Sequence, residues 1–145
     1  MIERWKGSGT SALFGGTRPP ERAVFPNHRI LIVDDNVDAA DSEALLLGQL
    51  GQTVQQAYDG KSALALAEEF RPDIVLLDIK MRGMDGYEVA RRLRLMPSMK
   101  DVRIIAYSGF GRPEDDGSIE AAGFNDFSSK PMPLSELVKL LSKGE

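Results

Sequence analysis

Apolar runs alternate with amphipathic stretches from Arg29 to the end of the chain. Residues 30–33 and 74–77 are short runs of Ile, Leu and Val, which are typical of strands buried on both faces. Elsewhere apolar residues recur every three or four positions, which is the period of an amphipathic helix. The pattern predicts strands over residues 30–34, 53–57, 73–78, 102–106 and 124–127, and helices over residues 37–50, 60–70, 85–96, 113–122 and 134–141.

Helix stop signals support this division into five strand–helix units. Gly51, Pro72, Pro97 and Gly123 each follow the end of a predicted helix, where glycine and proline commonly terminate helical structure. Regular alternation of strands and helices is typical of a parallel sheet with helices on both faces. We therefore predict a doubly wound α/β domain.

The first 27 residues differ in composition and show a different pattern. They are rich in Gly, Pro, Ser and Thr and show neither a helical nor a strand period, so residues 1–27 are expected to be a flexible, disordered leader. Trp5, Leu13 and Phe14 are isolated apolar residues within this leader. Either they are uncommitted, or they form a short element that binds a partner.

Composition excludes several classes of function. The 145 residues contain no Cys and one His, so disulfides, thiolate metal sites and multi-histidine zinc centres are excluded. The net charge is -4 and no basic stripe is present, which argues against direct nucleic-acid binding. No apolar stretch reaches the roughly 20 residues that span a bilayer. We expect a soluble, cytoplasmic protein of one domain.

Acidic residues follow two of the buried strands. Asp34 and Asp35 come directly after the first strand, and Asp78 follows the third. Open α/β sheets bind ligands at the carboxyl ends of their strands, so the three carboxylates would share one cleft. Their repulsion favours a bound cation, and all-oxygen ligands favour Mg²⁺ over zinc. Helix capping explains the first pair about equally well when that pair is considered alone.

Two further polar residues are expected at the same edge of the sheet. Ser108 follows the fourth strand and Lys130 follows the fifth, although each alone would usually be a turn or surface residue. The turn after the first strand has neither a dinucleotide-binding fingerprint nor a phosphate-binding glycine loop. Carboxylates, a hydroxyl and an amine together point to phosphoryl transfer.

Five short motifs resemble the receiver domain of two-component response regulators. They are Val33-Asp34-Asp35-Asn36, Leu77-Asp78-Ile79, Met84-Asp85-Gly86-Tyr87-Glu88, Ala106-Tyr107-Ser108-Gly109 and Lys130-Pro131. The resemblance covers about residues 29–145 and places a receiver domain over residues 28–145. It implies a flavodoxin-like, five-stranded parallel sheet of order 2-1-3-4-5.

The resemblance also implies a role for each acid. Asp78 matches the phosphoacceptor, and Asp35 matches a direct Mg²⁺ ligand. Asp34 matches an acid that acts on the metal largely through water, and Lys80 matches the residue that supplies a backbone carbonyl. The implied cofactor is Mg²⁺. The chain is then a signalling domain that assists its own phosphorylation and dephosphorylation, and not an enzyme.

The remaining implied roles concern switching and partners. Ser108 and Lys130 match the phosphoryl contacts, while Ser108 and Phe127 match the switch residues. The implied phosphodonor is a histidine kinase or a histidine phosphotransfer protein, and the output is a protein contact whose target the sequence does not identify. A stand-alone regulator is the preferred interpretation, and the resemblance allows a homodimer.

Departures from the family pattern keep alternatives open. Arg82 stands where proline is common, Tyr107 is larger than the usual aliphatic residue, and Phe127 replaces the more frequent tyrosine. The alternatives are an excised receiver of a hybrid histidine kinase, an Asp-nucleophile phosphatase of the haloacid dehalogenase type, and a degenerate receiver that only docks partners. The phosphatase lacks support because its Asp-x-Asp-x-Thr motif is missing after the first strand.

Overall fold

The computed structural model describes residues 25–109 and 117–142. The leader up to residue 24 and the first part of the predicted helix 113–122 lie outside the described residues. The strands are β1 Arg29–Val33, β2 Thr53–Ala57, β3 Ile74–Leu77, β4 Arg103–Ser108 and β5 Asp126–Ser129. The helices are α1 Val37–Gln49, α2 Gly60–Phe70, α3 Gly86–Leu95, α4 Ser118–Ala122 and α5 Leu134–Ser142.

The five strands form one parallel sheet in the order β2-β1-β3-β4-β5, which confirms the predicted fold class and strand order. Val33 pairs with both Ala57 and Leu77, so β1 and β3 end at the same level of the sheet. The acids that follow these two strands consequently emerge at the same edge.

Each face of the sheet is covered by its own set of helices. On one face, Ala63, Val89 and Ile119 bring α2, α3 and α4 into a common apolar core. On the other face, Ala40 of α1 and Leu137 of α5 pack against β1, β3 and β4. Because both faces are covered, β1 and β3 are apolar along almost their whole length.

The last strand lies two residues beyond its predicted position. The apolar Phe124 suggested a strand over residues 124–127, but β5 is Asp126–Ser129. Phe124 is buried in the core ahead of the strand. Asn125 then donates its amide to the Ile104 carbonyl and accepts the Ile104 amide on its side chain, both at 2.7 Å. The strand therefore begins after a side-chain bridge to β4, and its buried residue is the polar Ser128.

Arg94 joins α3 to the segments that precede β4 and β5. Its guanidinium donates to the carbonyls of Gly123 at 3.0 Å, Val102 at 2.8 Å and Met99 at 3.2 Å, and to the Asn125 side chain at 2.7 Å. Several carbonyls that lie outside the sheet ladder are satisfied by this single side chain. Arg94 therefore fixes the approach of the chain to both β4 and β5.

The residues just before β1 already contact the domain. Phe25 packs against the apolar core on the α1 and α5 side of the sheet. Gln52 donates its side-chain amide to the Pro26 carbonyl at 3.0 Å, and the buried His28 ring lies 3.2 Å from the Leu141 carbonyl. The chain thus enters the domain beside the ends of α1 and α5. Across the described part of the chain, no helix has the length and apolar character needed to cross a membrane.

Candidate functional site

The structure brings the three predicted acids together at the carboxyl edge of the sheet. The Asp34 amide donates to Ala57, and the Asp78 amide donates to Val33, so the backbone holds both acids at the ends of their strands. One carboxylate oxygen from each of Asp34, Asp35 and Asp78 lies within 4.8 Å of the other two. Asp34 is 1% exposed and Asp78 is 6% exposed, so their charges are largely removed from water.

Lys130 supplies the cation that balances these charges. Its ammonium group contacts the Asp34 carboxylate and lies 3.3 Å from Oδ2 of Asp78. The Lys130 amide donates to the Ser108 carbonyl at 3.0 Å, which ties the loop after β5 to the end of β4. The predicted lysine therefore reaches two of the three acids, and it is mostly buried with them.

Burial and neighbouring charges shift the pKa values of Asp78 and Lys130. Burial, reinforced by the Asp34 charge, raises the pKa of Asp78 to about 6, although Lys130 opposes the rise. Burial also disfavours the ammonium form of Lys130. The hydrogen bond to Asp34 and the charges of Asp78 and Asp34 outweigh that effect and raise the pKa of Lys130. The lysine is thus held in its charged form.

The donor set fits a hard divalent cation. Three carboxylates offer only oxygen ligands, and no sulfur or imidazole joins the cluster found among the described residues. Beside it, a cleft of about 400 Å³ is lined by Asp35, Lys80 and Arg82, so the half-buried Asp35 faces an open entrance. The residues present therefore suit Mg²⁺. The carbonyl of Lys80 remains a predicted ligand.

The loop after β3 donates backbone hydrogen bonds to Asp78 and Asp35. The Lys80 amide donates to Oδ1 of Asp78 at 3.2 Å. The Arg82 amide donates to Oδ2 of Asp35 at 3.1 Å, and its guanidinium lies 3.4 Å from the same oxygen. Arg82 therefore anchors the loop through its contacts with Asp35. Proline is common at this position in the family that the sequence resembles.

Gly86 lies next to the acid cluster. It was included in a sequence motif but was not assigned a role. A Cβ atom at this position would lie 2.2 Å from the Asp78 carbonyl oxygen and 2.7 Å from Cα of Ile79. The Gly86 amide also donates to the Ile79 carbonyl at 2.9 Å. Asp85 caps α3 by accepting the Glu88 amide, as predicted, and this starts the helix against the loop that follows β3. Only glycine allows that approach.

The interaction of Glu43 with Tyr107, beneath the loop that carries Lys130, was also not predicted from the sequence. The Tyr107 hydroxyl accepts the Met132 amide at 3.2 Å, and its ring centroid lies 5.6 Å from the Lys130 ammonium. The hydroxyl also interacts with the carboxyl of Glu43 on α1, and burial raises the pKa of Glu43. Glu43 Oε1 is buried and has no hydrogen-bond partner among the described residues. The large Tyr107 thus supports the loop that carries Lys130.

The predicted switch residues occupy neighbouring strands. Ser108 is buried at the end of β4, and Phe127 is half-buried in β5, opposite Ala106. Phe127 packs against the core beneath α2, α3 and α4 and is not part of the acid cluster. Their roles in switching remain predictions.

A parallel α/β sheet with clustered acids and a lysine at its carboxyl edge defines a class of metal-assisted phosphate-handling domain. The sequence matches the response regulator receiver domain family over residues 30–142. The chain therefore belongs to this family, whose members are signalling domains of two-component systems and interact with histidine kinases or phosphotransfer proteins.

Individual relatives show the range of proteins in which such domains occur. The DNA-binding dual master transcriptional regulator RpaA of Synechocystis is 33% identical over 76% of this chain and 46% of its own length. The CAI-1 autoinducer sensor kinase/phosphatase CqsS of Vibrio cholerae is 39% identical over 71% of this chain and 15% of its own length. A crystal structure of Vibrio cholerae chemotaxis protein CheY4 is 29% identical, with a TM-score of 0.72, and the match covers 79% of this chain and 95% of that one.

Proposed function

We propose that the protein receives a phosphoryl group from a phosphohistidine onto Asp78. The observation that carries this proposal is the position of the Asp78 carboxylate, which lies within 4.8 Å of the carboxylates of Asp34 and Asp35 and 3.3 Å from the Lys130 ammonium. The donor is a histidine kinase or a histidine phosphotransfer protein, as in the family to which the chain belongs. We propose that the same site also assists loss of the phosphoryl group to water.

The reaction is an in-line displacement at phosphorus. A carboxylate oxygen of Asp78 forms the new P–O bond while the P–N bond to the donor imidazole breaks, and the released imidazole takes a proton from solvent. With a pKa of about 6, Asp78 is mostly ionised above pH ~7 and needs no separate base. Lys130 places positive charge beside the transferring oxygens, where the loose transition state needs it.

Asp34, Asp35 and Asp78 are the side chains that would hold Mg²⁺, with the Lys80 carbonyl as a further proposed ligand. When it is bound, the metal neutralises negative charge on the transferring phosphoryl group. Asp34 and Asp78 already share Lys130, so the site keeps its shape through contacts made by the protein itself.

Phosphorylation would act as a switch through Ser108 and Phe127. A phosphoryl group on Asp78 adds negative charge and acceptor oxygens near the end of β4, which would attract the buried Ser108 hydroxyl. Movement of Ser108 would free space for Phe127 of β5, and the changed surface would then contact a downstream protein. These roles rest on the family resemblance and on the positions of the two residues in adjacent strands.

The test is phosphorylation by acetyl phosphate with Mg²⁺, followed by intact mass. Wild type should gain one phosphoryl group in a metal-dependent reaction, and Asp78→Asn should gain none. Asp101→Asn is the matched control, because Asp101 is an exposed acid just before β4, at the opposite edge of the sheet. Modification of Asp78→Asn at the wild-type rate would refute the proposal, and so would continuous turnover of a phosphomonoester.

A further inference from the structure

Glu43 is an acid on the inward face of α1. The buried residues of that helix are Ala40 and Leu47, and Glu43 lies between them at the spacing that places side chains on one helical face. Its Oε1 atom is buried and has no hydrogen-bond partner among the described residues. Burial of a carboxyl oxygen costs free energy, so an acid is expected here only where its acceptor oxygens are used.

The Tyr107 hydroxyl links Glu43 to the chain that follows Lys130. The hydroxyl accepts the Met132 amide at 3.2 Å, so its own proton can be donated elsewhere. Burial raises the pKa of Glu43, while the hydrogen bond with Tyr107 and the charge of Lys130 oppose the rise. Donation to a carboxyl polarises the hydroxyl and makes its oxygen a stronger acceptor. Glu43 thereby strengthens the bond that holds Met132.

Amide hydrogen bonds on both sides of Pro131 fix the segment that carries Lys130. The Lys130 amide donates to the Ser108 carbonyl at 3.0 Å, and the Met132 amide donates to Tyr107. Pro131 has no amide hydrogen, so Met132 is the first residue after Lys130 whose amide can be held. Tyr107 and Ser108 are the last two residues of β4. The end of β4 therefore anchors the segment, and the tyrosine hydroxyl is one of its anchors.

The Tyr107 ring also lies beside the Lys130 side chain. Tyr107 is 4% exposed, and its ring centroid lies 5.6 Å from the Lys130 ammonium, which is within the range of a cation–π contact. The same ammonium contacts Asp34 and lies 3.3 Å from Oδ2 of Asp78. A shift of the segment relative to β4 would therefore move the lysine charge relative to Asp78.

We infer that Glu43 and Tyr107 are positioning residues for Lys130. The Glu43 carboxyl orients the Tyr107 hydroxyl, the hydroxyl holds the Met132 amide, and the held segment keeps the Lys130 ammonium beside Asp78. Neither residue touches the transferred group, and both act through the lysine. This inference rests on the proposed phosphorylation of Asp78 and assigns part of its rate to a helix that carries none of the reacting atoms.

Tyr107→Phe removes the hydroxyl and keeps the buried ring. We expect hydrogen exchange of the Met132 amide, followed by NMR, to accelerate at least about tenfold, because that amide loses its acceptor. Phosphorylation by acetyl phosphate at saturating Mg²⁺ should slow about five- to tenfold, because Lys130 is less well placed. Urea denaturation of the same variant shows that the domain remains folded.

Tyr58→Phe is the matched control. The Tyr58 hydroxyl also bonds an acid of α1, since it donates to Asp41 at 2.6 Å. However, Tyr58 follows β2, which lies at the end of the sheet opposite to β5. This variant should leave both the exchange of the Met132 amide and the rate of phosphorylation unchanged.

Two substitutions of Glu43 separate the acceptor from the bulk of the side chain. Glu43→Gln keeps an acceptor oxygen for the Tyr107 hydroxyl, and its phosphorylation rate should stay within about twofold of wild type. Glu43→Met has a similar length but no such acceptor, so it should slow phosphorylation as Tyr107→Phe does. Rescue by glutamine is not expected if Glu43 acts only through its charge.

Reductive methylation reports the position of the lysine without phosphoryl transfer. In EDTA, limited methylation with formaldehyde and cyanoborohydride should label Lys130 faster in Tyr107→Phe than in wild type, as measured by peptide mass. The exposed Lys61 of α2 is the reference within the same molecules, and the ratio of Lys130 to Lys61 labelling should not change in Tyr58→Phe.

Wild-type phosphorylation rates in Tyr107→Phe and Glu43→Met would overturn the inference. Slow phosphorylation with an unchanged labelling ratio would also overturn it, because the loss would then not act through Lys130. Wild type that takes up no phosphoryl group on Asp78 is a distinct result, seen before any substitution is made. It would refute the proposed function itself, and with it the role assigned to Glu43 and Tyr107.

Discussion

Gly86 shows how one missing side chain positions the proposed nucleophile. Its Cα lies so close to the loop after β3 that a methyl group would overlap the Asp78 carbonyl oxygen. The sequence motif contained this glycine, but the pattern gave no reason for it, because the close approach joins α3 to the loop after β3. Contacts of this kind are visible only after the chain has folded.

Gly86→Ala should therefore lower both stability and phosphorylation. Relief of a 2.2 Å contact requires movement of backbone, so we expect a loss of about 2–4 kcal/mol in the free energy of unfolding. Phosphorylation by acetyl phosphate should slow at least about tenfold, because a small displacement disturbs in-line geometry. Urea denaturation and intact mass measure the two effects.

Gly48→Ala is the matched control for that substitution. Gly48 lies in α1, and no atom approaches within 4 Å of an added Cβ, so alanine should leave stability unchanged or raise it by up to about 1 kcal/mol. Equal losses in the two variants would contradict the close-approach explanation.

The raised pKa of Asp78 predicts a pH effect on the metal-free protein. The folded value of about 6 exceeds the ordinary value of 3.8, so the folded state binds this proton more tightly than the unfolded state does. Its contribution to stability is present below pH ~4 and is lost as the pH rises through about 6. In EDTA, Asp78→Asn should accordingly be more stable than wild type above pH ~7, by about 1–2 kcal/mol.

Urea titrations of both proteins between pH ~4 and ~8 would measure this difference. The gap in the free energy of unfolding between wild type and Asp78→Asn should shrink towards low pH, because all other titrating groups are common to the two proteins. A gap that stays constant with pH would show that Asp78 ionises in the folded state as it does in the unfolded chain.

At the scale of elements, Arg94 holds α3, β4 and the chain before β5 together. Arg94→Met keeps much of the apolar stem but leaves the carbonyls of Gly123, Val102 and Met99 without this donor. We expect a loss of about 2–4 kcal/mol in the free energy of unfolding.

Arg92→Met supplies the comparison for Arg94, since Arg92 lies on the same helix and makes an exposed ion pair with Glu88. Its loss should cost less than about 1 kcal/mol. Chemical denaturation of both variants tests the contrast, and similar losses would mean that the part-buried carbonyl contacts of Arg94 add nothing.

The elements that the sequence predicted well are those that apolar periodicity governs. The two strands of Ile, Leu and Val and the acids that end them were placed correctly, because burial on both faces leaves little freedom in such runs. The position of β5 was wrong, since a polar bridge from Asn125 and a buried Ser128 decide where that strand begins. Side-chain hydrogen bonds of this kind leave no periodic signal.

The location of the candidate site residues was predicted to a similar extent, whereas their roles stay predictions. Residues at strand ends, such as Asp78 and Lys130, could be assigned because parallel strands present their carboxyl ends at one edge. Glu43 and Tyr107 were not assigned as a pair, since their contact crosses from a helix to a strand that is distant in sequence. An acid on the half-buried flank of an amphipathic helix was the only available signal.

At the scale of the whole molecule, Mg²⁺ should stabilise the fold, because the folded state gathers ligands that the unfolded chain disperses. A hundredfold excess of metal over its dissociation constant would add about 2.7 kcal/mol to the free energy of unfolding. Thermal denaturation with and without Mg²⁺ measures the increment. It should largely disappear in Asp35→Asn and persist in Asp101→Asn, and persistence in both variants would place the metal elsewhere.

Lys130 gives the metal-free protein an internal counter-ion. Because its ammonium already contacts Asp34 and lies beside Asp78, an arriving Mg²⁺ meets two carboxylates whose charge is partly compensated. The same lysine that is proposed to assist phosphoryl transfer would therefore limit how tightly the resting site can hold metal. Acetylation of this one amine would reverse the balance, giving a protein that retains magnesium more firmly and accepts phosphate more slowly.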